Sequence, residues 1–255
     1  MQRPIVLYLG GLDPSAGAGL LADIKTCEAH QVYGFGVCTG LTVQNDIHFE
    51  GIQWVPLSGI LAQVDLLYQR FKFDFVKIGL IENIPVLLKV VRYLRSKRKA
   101  VKIIWDPILS ASAGFVFHRP IPLQLVDALT PHLYLITPNW PEMATLGATE
   151  DPWTAACQLS QRCCVLLKGG HNRANPGTDW LFVDQSAWKF ETEATVLAGK
   201  HGSGCVLAAS IIANLALEYS LQKACARSKA YITDFLNSTS HLLGYHITLP
   251  NESAH

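Results

Sequence analysis

The chain carries almost no charge excess. Its 255 residues hold 21 Lys+Arg against 20 Asp+Glu, a formal net charge of +1. A binder that displaces nucleic-acid counterions needs surplus cations, so a bulk electrostatic partner of that kind is excluded. Charged residues make up only 16% and hydrophobic residues 49%, which excludes an intrinsically disordered chain. The seven cysteines include no CxxC pair, so neither a zinc ribbon nor a thioredoxin-like site is expected. Most lie in apolar surroundings, where a free thiol packs as a small hydrophobe. Reduced thiols and a cytoplasmic setting follow. Long apolar runs are missing too. The longest, Gly204–Leu217, contains Ser210 and Asn214 and falls short of the roughly 18 residues of a membrane span. Ile5–Leu9 is too short for a signal peptide and reads as a buried first strand.

What is present is alternation. Candidate strands are Ile5–Leu9, Gly36–Val43, Phe75–Ile78, Ile103–Asp106, Leu133–Thr137, Cys164–Lys168 and Trp180–Val183. Helical periodicity falls on Ala18–His30, Ile60–Phe71, Ile84–Ser96, Leu123–Leu129, Trp153–Leu159, Gly204–Leu217 and Leu221–Leu243. Continuous apolar strands are buried on both faces, and their alternation with helices predicts an α/β fold with a mainly parallel sheet. No linker or repeat interrupts residues 1–255, so one domain is expected. Ligands in such sheets bind beyond the carboxyl ends of the strands, and six polar segments fall there.

Gly10–Gly19 follows the first strand and is built of small residues that let backbone approach a ligand. A tight strand-to-helix turn reads equally well. Asp23 follows a turn into the helix, where a charge is usually exposed but is also placed to face the cleft. Gln44 ends the second strand before Asn45-Asp46, and its amide suits a heterocycle edge. Asp106 closes a third strand. Asn139 and Glu142 sit three apart at a helix start, suited either to one ligand or to a capping box. Lys168 precedes Gly169-Gly170, a cation with room for phosphate. His201-Gly202-Ser203-Gly204-Cys205 opens an apolar helix. Its glycines allow consecutive N–H groups to form an anion nest. Cys205 lies in the first turn, where the helix dipole is expected to lower the thiol pKa.

This ordered set resembles the hydroxymethylpyrimidine/phosphomethylpyrimidine kinases, within the ribokinase-like superfamily. Gly11–Gly19 with Ala22–Thr26, Val43–Asn45, Lys77-Ile78-Gly79, Asp106-Pro107, Thr137–Asn139 with Glu142, Lys168–His171 and His201–Cys205 carry the likeness. The resemblance implies a three-layer α/β/α sandwich, Mg²⁺-dependent phosphoryl transfer from ATP to a small pyrimidine, and a homodimer. It implies substrate binding by Gly11, Asp23, Gln44 and Leu80, and ATP binding by Asn139, Lys168, Gly170 and His201. Asp106 and Glu142 would hold the metal. Gly202, Ser203 and Gly204 would form the anion hole, with Cys205 as base. A pyridoxal kinase of the same fold and a weakly catalytic pyrimidine-binding relative are the alternatives. The chain departs from the family at three points. No Lys occurs in Ser110–Gly114, Val206 follows the Cys, and Leu80 stands where Met is frequent.

Overall fold

The computed structural model describes residues 3–110, 117, 121–171, 176–192 and 199–249. Four apolar residues, Val6–Leu9, are fully buried in the first strand, β1 (Ile5–Leu12). They alternate between two cores. Leu7 and Leu9 face one, Val6 and Tyr8 the other. The same division splits Ile103 and Trp105 from Ile104, and Val165 and Leu167 from Leu166. A strand with apolar residues at every position must be covered on both sides, and the chain supplies a helical layer for each.

The elements run β1, α1 (Gly19–Ala29), β2 (Tyr33–Gln44), β3 (Phe49–Trp54), α2 (Leu57–Tyr68), β4 (Phe75–Ile78), α3 (Ile84–Lys97) and β5 (Lys102–Trp105). There follow α4 (Leu123–Leu129), β6 (Leu135–Ile136), α5 (Trp140–Gly147), α6 (Pro152–Leu159), β7 (Cys164–Leu167), β8 (Asp179–Val183), β9 (Ser186–Phe190), α7 (Ser203–Ala216) and α8 (Leu221–Asn237). One sheet takes the order β3-β2-β1-β4-β5-β6-β7-β8-β9. The pairs from β2 to β7 are parallel, and β3, β8 and β9 pair antiparallel with their neighbours. Residues of α2 to α6 build one core and residues of α1, α7 and α8 the other. The fold is the ribokinase-like three-layer sandwich.

The fold differs from the sequence expectation in four places. β3 and β9 are amphipathic edge strands with no long apolar run to signal them. α5 is visible in the sequence only as its cap. The last helix ends at Asn237, six residues before the predicted Leu243. Beyond it the chain runs back along α1, where Leu249 N–H donates to Ala29 O at 2.9 Å. Among the described residues no helix is long and apolar enough to cross a membrane.

Candidate active site

Six parallel strands end side by side, and their sheet order arranges the site. From one side to the other the ends carry Gln44 (β2), Gly11 (β1), Gly79-Leu80 (after β4), Asp106 (after β5), Asn139 (after β6) and Lys168 (after β7). The N-terminus of α7 joins this row at both the β1 and the β7 ends.

Two small-residue loops bring α7 there. Asp13 ties the first one. Its carboxylate accepts from Ser15 N–H and Ala18 N–H, both at 2.9 Å, and from Ser15 Oγ at 2.8 Å. It also meets His201 Nε2, from the second loop, at 2.8 Å. Burial pushes the Asp13 carboxyl up, but the His201, Ser15 and Ala18 hydrogen bonds outweigh it and hold the group below its ordinary range. The loops then touch backbone to backbone. Gly202 has φ +74°, and a Cβ there would lie 2.1 Å from Gly17 O. Gly19 has φ +60°, and a Cβ would lie 2.3 Å from Gly11 O. Only glycine satisfies both the left-handed backbone and the close approach.

The result is a close junction of the two loops around Cys205. The thiol is buried, and the Gly19 backbone N–H, at the first residue of α1, hydrogen-bonds it. Lys168 reaches it from β7: a Cβ on Gly204 would lie 3.2 Å from Lys168 Nζ. The expected depression of the thiol pKa is corrected here. Burial pushes Cys205 up to about 11, and the opposing pull of Lys77 and the Gly19 N–H is smaller. The thiol is protonated at neutral pH.

Around Cys205, charges of alternating sign pack together. Lys77 Nζ meets Asp23 Oδ1 at 2.7 Å and Oδ2 at 2.9 Å, with both side chains fully buried. Lys168 Nζ meets Asp106 Oδ1 at 2.8 Å and stands 3.8 Å from Glu142 Oε2. Thr137 Oγ1 donates to the same Asp106 oxygen at 2.9 Å. A buried charge without a partner is costly, so each here has one. Burial opposes the charged form of Asp106, but Lys168 and Lys77 hold its carboxyl below the usual range. Glu142 goes the other way, pushed by burial up to about 7 against Lys168. Lys77 and Lys168 remain cationic despite burial, because Asp23 and Asp106 respectively favour the proton.

Several sequence expectations gain a sharper form. Asp23 is not an exposed helix charge: it faces inward, wholly enclosed, and holds Lys77. Asn139 and Glu142 form the capping box of α5, with Glu142 N–H donating to Asn139 Oδ1 at 2.8 Å and Asn139 N–H to Glu142 Oε2 at 2.7 Å. The same box places Glu142 beside Lys168. His201 is buried against Asp13, so it braces the two loops. Leu80 packs onto Gly11, its Cδ2 2.9 Å from where a Cβ would lie. Gln44 Nε2 donates to Thr42 Oγ1 at 2.9 Å, and Thr42 donates to Leu12 O at 2.8 Å. Among the described residues, nothing lies within 4 Å of where a Cβ on Gly170 would lie. The loop at 111–116 lies outside the described residues.

Sequence reasoning assigns no role to Lys77 or Asp13. Lys77 does carry a signal, since a lysine between Val76 and Ile78 in a strand buried on both faces demands an internal counter-ion. Asp13 has only the look of an Asp-Pro turn.

Fold and site together define a ribokinase-like small-molecule kinase. The chain belongs to the phosphomethylpyrimidine kinase family, whose model matches residues 13–249. It is 32% identical over 222 residues to the hydroxymethylpyrimidine/phosphomethylpyrimidine kinase of Salmonella typhimurium, covering 84% of this chain and 83% of that one. It is 34% identical to the thiamine biosynthesis bifunctional protein ThiED of Geobacter sulfurreducens, covering 91% of this chain but spanning only 49% of that protein. Among solved structures, phosphomethylpyrimidine kinase of Clostridium difficile 630 superposes with a TM-score of 0.77 at 27% identity, covering 91% of this chain and 99% of that one. The pyridoxal kinase of Staphylococcus aureus in complex with pyridoxal gives a TM-score of 0.83 at 22% identity, over 96% and 93% of the two chains, a likeness of fold.

Proposed function

We propose that this chain, acting as one domain, transfers the terminal phosphoryl group of ATP to 4-amino-5-hydroxymethyl-2-methylpyrimidine, to its monophosphate, or to both, in thiamine biosynthesis. The observation that carries the reading is a convergence of groups at the start of α7. There Cys205, the Gly19 N–H and the Lys168 ammonium converge between the two ends of the strand row. The pyrimidine binds at the β2-β1-β4 end, against Gly11, Gln44 and Leu80. ATP binds at the β5-β6-β7 end, against Asn139, Lys168 and Gly170. Asp23 and His201 serve from behind, one holding Lys77 and the other the loop that carries Gly202, Ser203 and Gly204.

In the transfer, the substrate oxygen bonds to the γ-phosphorus while the bond to the bridging oxygen of ADP breaks. The N-terminus of α7 and Lys168 would stabilise the transferring group. Phosphoryl transfer is mostly positioning and charge stabilisation. A protonated Cys205 suits it, because a loose transition state asks little of a base. The thiol orients the hydroxyl, whose proton passes late to a non-bridging oxygen of the transferred phosphoryl group. Mg²⁺ takes one or two carboxylates together with substrate phosphates. Asp106 and Glu142, which share Lys168 as counter-ion, would hold it. When bound, the metal neutralises phosphate oxygens.

A coupled assay of ADP release with the hydroxymethylpyrimidine and with pyridoxal tests this reading. Turnover with pyridoxal alone would overturn it in favour of the pyridoxal kinase. Binding of the pyrimidine without turnover would favour a non-catalytic relative. Gln44→Ala should raise KM for the pyrimidine by about tenfold or more and leave KM for ATP within about twofold, since a buried ring edge left unpaired is costly. Equal changes in both would place Gln44 outside the pyrimidine pocket. The setting we infer is the cytoplasm, from seven free cysteines. A homodimer is supported by the apolar Leu41 and Val43, exposed side by side on β2, and solution mass measurement decides it.

A further inference from the structure

One buried ion pair takes no part in the transfer as described. Asp179, the first residue of β8, and Lys229, in α8, are 4% and 9% exposed. Asp179 Oδ2 accepts from Lys229 Nζ at 3.0 Å. Its other oxygen, Oδ1, accepts from Gly169 N–H at 2.7 Å. Lys229 Nζ also donates to Gly177 O, and Gly177 N–H donates to Gly169 O at 3.1 Å. The fit at Gly169 is close, since a Cβ there would lie 1.9 Å from Thr178 O. On the preceding residue, Lys168 N–H donates to Pro138 O at 2.8 Å.

The two N–H groups flanking the Lys168 Cα are thus both held. One is fixed by the β6 loop and the other by a charged carboxylate, a stronger acceptor than a neutral one. Taking an ion pair out of water is expensive, and an apolar pair of similar volume often stabilises a fold as well. What an apolar pair cannot do is accept the Gly169 N–H. We propose that Asp179, held by Lys229, is a positioning residue for the nucleotide: it fixes the peptide that aims Lys168 and Gly169-Gly170 at the phosphates. The pair therefore governs nucleotide affinity and leaves pyrimidine affinity alone. This rests on the assignment of the β7 end to ATP.

Two charge-neutral double variants isolate the acceptor. Asp179→Asn/Lys229→Met keeps an oxygen for the Gly169 N–H. Asp179→Leu/Lys229→Met removes it. Both avoid a lone buried charge, so both should fold. Steady-state KM for ATP and for the pyrimidine is read for each, together with ADP affinity by titration without turnover. The Leu variant should bind ATP and ADP about tenfold or more weakly than the Asn variant, the cost of leaving one buried donor unpaired. KM for the pyrimidine should stay within about twofold. Equal nucleotide affinity in the two variants, with a difference only in Tm, would make the pair structural and overturn the proposal. Equal losses for both substrates would overturn it too. If the wild type failed to phosphorylate the pyrimidine, the assigned activity would fall, while the ADP titration would still decide the role of Asp179.

Discussion

Cys205 shows how far environment moves a single side chain. A helix N-terminus favours a thiolate, and the Gly19 N–H and Lys77 add to that pull. Burial nevertheless prevails and sets the thiol at about 11. Below that value each pH unit multiplies the thiolate fraction about tenfold. Alkylation of Cys205 by iodoacetamide should therefore climb about a hundredfold from pH 7 to 9 without levelling. A plateau below pH 8 would show a thiolate held by its neighbours. Cys205→Ser should keep the fold and substrate affinities and lose less than the roughly 10²-fold minimum that general base assistance is worth, because the resting thiol carries no charge to lose. A loss of about 10³-fold in kcat would restore the thiolate as base.

At the scale of elements, the site depends on two loops that meet through backbone. The small residues of Gly11–Gly19 serve less to admit a ligand than to admit Gly202 and the start of α7. Gly202→Ala puts a methyl 2.1 Å from Gly17 O on a backbone that L side chains rarely adopt. It should separate the loops, cost activity by about 10²-fold or more through misplacement of the α7 N-terminus, and lower Tm. Gly170→Ala meets no neighbour among the described residues and should leave Tm unchanged by calorimetry. If Gly202→Ala retained activity, the packing of one loop on the other would not position the start of α7.

Across the whole molecule, the α1-α7-α8 layer carries a pH-sensitive polar group inside its core. His30 Nε2 meets Ser210 Oγ at 2.9 Å, and Ser210 donates onward to Ser228. His30 Nδ1 has no hydrogen-bond partner among the described residues. Burial, reinforced by the charges of Arg227 and His246, lowers the His30 pKa to about 4. The unfolded chain takes up this proton near its ordinary pKa of 6.5 and the folded chain only near 4. Stability is therefore fully present above about pH 6.5 and is lost as pH falls toward 4. Between pH 7 and 5 the loss amounts to about 2 kcal/mol. Urea unfolding of wild type and His30→Gln at both pH values checks it. A difference between the two proteins that stayed constant with pH would mean His30 does not titrate in this range.

The parts with local causes can be read from the residues alone. Apolar runs such as Val6–Leu9 specify strands buried on both faces, and alternation with amphipathic segments specifies a parallel sheet. Glycine pairs after strands mark where backbone comes close. The family was legible because these local signals occur in one order. Tertiary structure decided what depends on groups far apart in the chain. It turned Asp23 inward onto Lys77, 54 residues away, and tied Asp13 to His201 across 188. It brought Lys168 to Gly204, although the two sit on different layers of the fold. It also set the Cys205 thiol against the expectation from its own helix. Desolvation is a property of everything packed around a group, and no local pattern of residues records it.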